Sequence, residues 1–180
     1  MTKGSLRNLI EIPIFTALMT VCAYIQIPLP LPFTLQLFAI AVALLVLGGV
    51  RGFIATAMYM TLGAIGLPVF SGFSGGIGHL FSLSGGFLLG FLLMATVYMI
   101  CEGLFGKTGK RRLIYLATGL AFLYTGGVLW LVFIYAEGGG YSIGAAILSF
   151  VLPYILPDAA KIGAAYLIAS RLKRAGIFSF

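Results

Sequence analysis

Long apolar runs set the first limit on this chain. Stretches near 9–27, 34–50, 52–68, 85–105, 113–136 and 143–171 carry almost no charge, and roughly 17–25 apolar residues suffice to cross a bilayer as a helix. The runs are continuous rather than alternating, so they read as helices and not as barrel strands; these are the two ways of satisfying every backbone group in lipid. With 61% of its 180 residues hydrophobic and 8% charged, the chain cannot cover itself with a water-soluble surface. The expected fold class is an all-α membrane protein, a six-transmembrane-helix bundle forming one domain over residues 1–180. The opening "MTKGSLRNLIEIPIF" starts basic but runs on past any small-residue cleavage site, and is read as a retained first helix.

A net charge of +7 would raise nucleic acid as a partner in a soluble protein. Here ten of the eleven basic residues fall between or beside the apolar runs: Lys3 and Arg7, Arg51, the cluster Lys107, Lys110, Arg111 and Arg112, and finally Arg171, Lys173 and Arg174. The connections near 28–33, 69–84 and 137–142 contain no Lys or Arg. Positive-inside logic places both termini and the basic connections in the cytoplasm, and makes nucleic acid an unnecessary partner. The long connection "VFSGFSGGIGHLFSLSGG" would then lie outside, and its interleaved Phe and Leu predict a lid packed over the outer mouth.

Two motifs point to chemistry and are declined. "CEGLFGKT" at 101–108 ends like a phosphate-binding loop, but Cys101 stands where the first glycine belongs, and no strand precedes it. "GFSG" at 72–75 with His79 suggests a serine–histidine pair, yet both residues share one loop instead of coming from two membrane helices. No catalytic residue, cofactor or metal site is expected. Cys22 and Cys101 lie in different runs without a C-x-x-C pairing and read as small apolar residues.

The eleventh basic residue is Lys161, inside the last run and three positions after Asp158. Counted from Arg171, they lie about 15 and 20 Å into the membrane along a helix, where an isolated charge costs roughly 2.5–3.5 kcal/mol or more. Their spacing puts them on one helix face. Pro153 and Pro157 predict a break at 153–157, with Pro157 opening the helix that carries the pair. Either the two charges neutralise each other to fix helix packing, or they line a site for a small, partly polar ligand. As a proton relay they would serve a proton-coupled carrier. An inorganic cation is disfavoured by the ammonium group.

"PFTLQLFAI" at 32–40, "YMTLGAIGLPVFSGFSGG" at 59–76, "SGGFLLGF" at 84–91 and "YILPDAAKIG" at 154–163 resemble, in order and spacing, the BioY family, the biotin-specific substrate-capture (S) components of energy-coupling-factor (ECF) transporters. The resemblance covers essentially the whole chain. It implies high-affinity biotin binding and uptake across the bacterial cytoplasmic membrane by a multi-pass S component without its own ATPase. The partners it implies are a transmembrane coupling (T) subunit and two ABC-type ATPases. An S component for another vitamin is the nearest alternative.

Carried over by position, the resemblance assigns biotin contact to Asp158 and Lys161, to Ser74, Gly75 and Gly76 of the glycine-rich loop, and to Gly86 and Phe87. Phe87 stands where relatives have Tyr. Thr34 and Gln36 match the family's T-x-Q and either line the pocket or serve structural hydrogen bonds. Lys161 either meets the ligand carboxylate or orients Asp158. A small-residue face on the first helix, with Thr16, Ala17 and Thr20, is expected to dock the T subunit.

Overall fold

The structure, a computed structural model, describes residues 3–135 and 140–175, with side chains from Ile10 onward. The side chains of Lys3 and Arg7 and the connection at 136–139 lie outside the described residues. The elements are α1 (Lys3–Tyr24), β1 (Gln26–Ile27), β2 (Phe33–Thr34), α2 (Gln36–Leu47), α3 (Gly49–Ala64), a 3-10 turn at Ser71–Phe73, α4 (Ile77–Leu80), α5 (Gly85–Phe105), α6 (Gly109–Phe133), α7 (Ile143–Phe150) and α8 (Leu152–Arg174). β1 and β2 form a short antiparallel ribbon with Gln26 opposite Thr34 and Ile27 opposite Phe33.

α2 is the core of the bundle. Every residue from Gln36 to Leu47 except Phe38 is buried, against α1, α3, α5 and α8. A helix apolar on all sides can be satisfied only by such a central position. The surrounding helices turn large apolar side chains outward, among them Ile14, Val21, Leu104, Phe133 and Leu156. An outer surface this apolar suits lipid rather than water.

By length and hydropathy α5 and α6 are fit to cross a membrane, and α7 with α8, bent by 46° at their junction, pass the same test only as a pair. α1, α2 and α3 occupy the other three expected runs, the last two as short helices of 12 and 16 residues. α5 and α6 pack most closely of all. A Cβ on Gly86 would sit 2.2 Å from Trp130 Cβ, and one on Gly127 would sit 2.4 Å from the Phe87 ring. Glycine at these contacts lets the two backbones approach.

Two sharp breaks shape the bundle, and both differ from expectation. α2 turns into α3 at Gly48, whose φ of +83° favours glycine. Arg51 therefore lies in the first turn of α3 instead of a connection, and it pairs with Glu11 of α1 at 2.9 Å. The turn is held by a buried ion pair. Glu102 accepts a hydrogen bond from the Gly49 amide at 2.6 Å, and Arg112 donates to the Leu45 carbonyl at 3.2 Å, while the two side chains meet at 3.3 Å. Arg112 is thus no simple topology charge; it caps the open carbonyl end of α2, as Glu102 caps the open amide end of α3. The second break falls at Val151, ahead of the predicted 153–157. Pro153 takes the first turn of α8, where its missing N–H is no loss, and Pro157 lies inside the helix rather than opening it.

Candidate functional site

A single cavity gathers residues from five parts of the chain. The β1–β2 ribbon and its loop supply Leu31, Phe33 and Thr34; α2 supplies Gln36 at its first position; α5 supplies Phe87 and Phe91; α6 supplies Leu123 and Tyr124; and α7 and α8 supply Phe150, Tyr154, Asp158 and Lys161. Ser71 of the 3-10 turn and Ser84 before α5 also line it. The walls are largely aromatic and aliphatic, with a few polar groups converging inside, the usual composition of a small-molecule pocket.

Asp158 and Lys161 are both buried and joined at 2.8 Å. The other Asp158 oxygen accepts the Tyr124 hydroxyl at 2.7 Å, and Lys161 Nζ stands 3.8 Å over the centre of the Phe33 ring. Each partner eases the burial of a charge. Two bonds do not exhaust a carboxylate, which has about four lone-pair positions, nor does one exhaust an ammonium with three donors. Gln36 is 2% exposed; no hydrogen bond of full geometry reaches its side-chain nitrogen, which interacts with the Tyr59 hydroxyl oxygen. The adjacent Tyr59 hydroxyl commits its proton to the Val69 carbonyl. The cavity therefore offers acceptor capacity at Asp158 and donor capacity at Lys161 and Gln36, between apolar walls. Such an arrangement suits a molecule with an apolar body, N–H donors and a carbonyl or acid group.

Of the residues singled out from sequence, Asp158, Lys161, Gln36, Thr34 and Phe87 line this cavity. Thr34 Oγ1 also accepts the Gln36 backbone N–H at 3.3 Å. Ser74, Gly75, Gly76 and Gly86 are not among its lining residues. Gly86 faces Trp130, and a Cβ on Gly75 would sit 2.2 Å from the Leu67 carbonyl oxygen. Gly76 has φ +94° and donates its amide to the Gly63 carbonyl at 2.7 Å. These glycines shape the connection over the pocket through backbone approach.

That connection is anchored on three helices. Tyr24 of α1 donates to the Pro68 carbonyl and packs on Phe73 with ring centroids 4.2 Å apart. Phe70 meets Tyr59 of α3 edge-on, and Trp130 of α6 donates to the Ser82 carbonyl at 3.1 Å. Ser74 Oγ and His79 Nε2 do come within 3.3 Å. Ser74, however, bonds the Ser71 carbonyl at 2.7 Å, so in this arrangement its one proton is turned away from His79. Burial against Phe70 lowers the His79 pKa below its usual value.

On α1, Thr16 is buried and donates to the Ala55 carbonyl of α3 at 3.2 Å. It belongs to the inner face, which corrects its place in an expected docking stripe. Ala17 is on the outer face, and Thr20 is half-buried, bonded to the Thr16 carbonyl. Tyr124, Tyr154 and Phe33 were missed as site residues. Tyr154 stands one helical turn before Asp158, which was the available signal; nothing local marks Tyr124.

Comparison with known proteins agrees with this architecture. The chain is 42% identical over 173 residues to "Biotin transporter BioY" of Thermotoga maritima, covering 94% of this chain and 97% of the relative. It is 34% identical over 178 residues to the protein of the same name from Rhodobacter capsulatus, covering 91% of each. In fold it matches the crystal structure of the S-component for biotin from an ECF-type ABC transporter, with a TM-score of 0.83 at 24% identity over 97% of this chain and 95% of that one. The model of the BioY family matches residues 1–177, and the chain belongs to that family.

Proposed function

We propose that this chain captures biotin in the Asp158–Lys161 cavity and serves as the substrate-specific component of an ECF-type transporter. The observation that carries the reading is a buried, incompletely saturated ion pair facing an aromatic-walled cavity, in a chain whose relatives are named biotin transporters. Biotin has a ureido ring with two N–H donors and a carbonyl, an apolar thioether ring and an acid tail. Asp158 accepts the ureido N–H groups, Gln36 and Lys161 donate to carbonyl or carboxylate oxygens, and Phe87, Phe91 and Tyr154 enclose the thioether. Ser74, Gly75, Gly76 and Gly86 act by shaping the lid and the α5–α6 contact.

The chain then crosses the membrane six times, with α7 and α8 together as the last span, the pocket end outward and the end bearing Lys107 and Arg171 in the cytoplasm, a reading that the charge asymmetry supports. The membrane is the bacterial cytoplasmic membrane. Energy comes from partners, a T subunit and two ABC-type ATPases; the outer face of α1 with Ala17 is the docking surface.

Calorimetric titration of biotin into the detergent-purified chain, beside Asp158→Asn, tests the assignment. Hydrogen bonds to a charged group contribute about 1.5–3 kcal/mol each, so tight one-to-one binding should weaken at least about tenfold in the variant. An analogue without the ureido N–H groups should bind much worse than dethiobiotin, which retains them. Equal affinity of wild type and variant would overturn the role of Asp158.

A further inference from the structure

At the end of the bundle opposite the lid, basic residues far apart in sequence converge on a second cavity. Lys107 comes from the α5–α6 connection, Arg112 from the first turn of α6, and Lys173 and Arg174 from the last turn of α8. With Tyr166 and Ser170 they line a space of about 220 Å³, several times the roughly 30 Å³ share of one water. Its floor includes Leu45 and Ala169, both buried. Among the described residues no acidic side chain lines it. Glu102, the ion-pair partner of Arg112, lines an adjoining cavity beside Gly48 that also includes Lys107.

A second feature points the same way. The 25-residue helix α6 begins at Gly109 on the cavity wall, has no side-chain cap from Thr108, and carries no acidic residue in its first turn. Its first amide N–H groups and the positive end of its dipole are therefore available to an anion. Several cations, two hydroxyls and a helix start together recognise phosphate oxygens, whereas an isolated carboxylate would leave most of these donors unused.

We propose that this cavity is a phosphate site, filled in the membrane by the headgroup of an anionic phospholipid. Basic pockets between membrane helices are suited to such headgroups. The site lies apart from the biotin cavity and shares no lining residue with it. It ties the α5–α6 connection to the end of α8, the helix that also carries Asp158 and Lys161.

Native mass spectrometry of the full chain in detergent, with phosphatidylglycerol, phosphatidylcholine and inorganic phosphate as probes, tests this. Wild type should retain one phosphatidylglycerol in preference to phosphatidylcholine, and Lys107→Gln with Arg174→Gln should weaken it about tenfold. Biotin affinity in the same samples should be unchanged, which also reports that the double variant is folded; the single Lys107→Gln serves if it is not. Competition by inorganic phosphate would assign the site to phosphate itself. Retention of the lipid against phosphate would assign it to the bilayer headgroup. Equal retention of the two lipids without phosphate binding, equal binding by wild type and variant, or no binding of any probe would overturn the proposal.

Discussion

Glu102→Gln should destabilise the fold although it lies far from the biotin cavity and keeps the shape of the side chain. Both members of the Glu102–Arg112 pair are 5% exposed, and their charged atoms are 3.3 Å apart. At an effective dielectric of about 20 that separation corresponds to about 5 kcal/mol of attraction, part of which offsets the cost of taking both ions out of solvent. Gln retains an oxygen for the Gly49 amide and loses only the charge. Breaking a buried pair typically costs about 3–5 kcal/mol, and for a chain of this size each kcal/mol moves the melting temperature by about 2–4 °C. A fall of about 6 °C or more is expected in thermal unfolding of the detergent-solubilised chain. Glu102→Gln combined with Arg112→Met should recover most of that loss, less the bond from Arg112 to the Leu45 carbonyl. A single variant within about 1 °C of wild type, or a double variant whose loss equals the sum of the two singles, would refute the view that the pair holds the α2–α3 turn through its charges.

Gly86→Ala should cost about 1–3 kcal/mol by overpacking, because its Cβ would fall 2.2 Å from Trp130 Cβ; thermal unfolding together with biotin titration checks it, and the variant should lose stability even where affinity per folded molecule is kept. The lid should loosen in acid. His79 has a lowered pKa in the folded chain, so the unfolded lid binds the proton more readily, and the His79 contacts are fully present above the usual histidine pKa of about 6.5 and lost as pH falls through the lower folded value. Amide exchange of residues 70–84, corrected for the intrinsic pH effect, should speed up over that window in wild type and not in His79→Phe.

What could be read from sequence follows from which forces are local. Apolar runs and basic clusters announce a helical membrane protein, and the residues of α5 and α6 fall within the predicted 85–105 and close to the predicted 113–136 because nothing interrupts their runs. Asp158 and Lys161 stand out because a charge in such a run is costly wherever it points. Their partner Tyr124 does not stand out, 34 positions from Asp158; Gln36 was legible only through the family's T-x-Q, because nothing in its own run shows that α2 is threaded through the bundle centre. Arg112 was misleading for the same reason. It belongs to a basic cluster that reads as solvated, and only the tertiary structure sets it against Leu45, 67 positions earlier. The break at Val151 carries no Gly or Pro of its own; the proline two residues later starts a helix rather than ending one.

The two buried ion pairs show how one kind of group serves opposite purposes at the two ends of a bundle. Glu102 turns its oxygens to the Gly49 amide and to Arg112, and Arg112 reaches the Leu45 carbonyl beyond it, so the pair closes the ends of two helices. Asp158 and Lys161 are equally buried, yet they keep acceptor and donor positions turned to a cavity that the Gln36 side chain also lines. Burial alone therefore does not separate a structural charge from a binding one. What marks Asp158 and Lys161 is that they face an aromatic-walled cavity with hydrogen-bonding positions to spare; an unsatisfied buried polar group costs about 1–3 kcal/mol, and a ligand that supplies the missing partners recovers that cost as affinity.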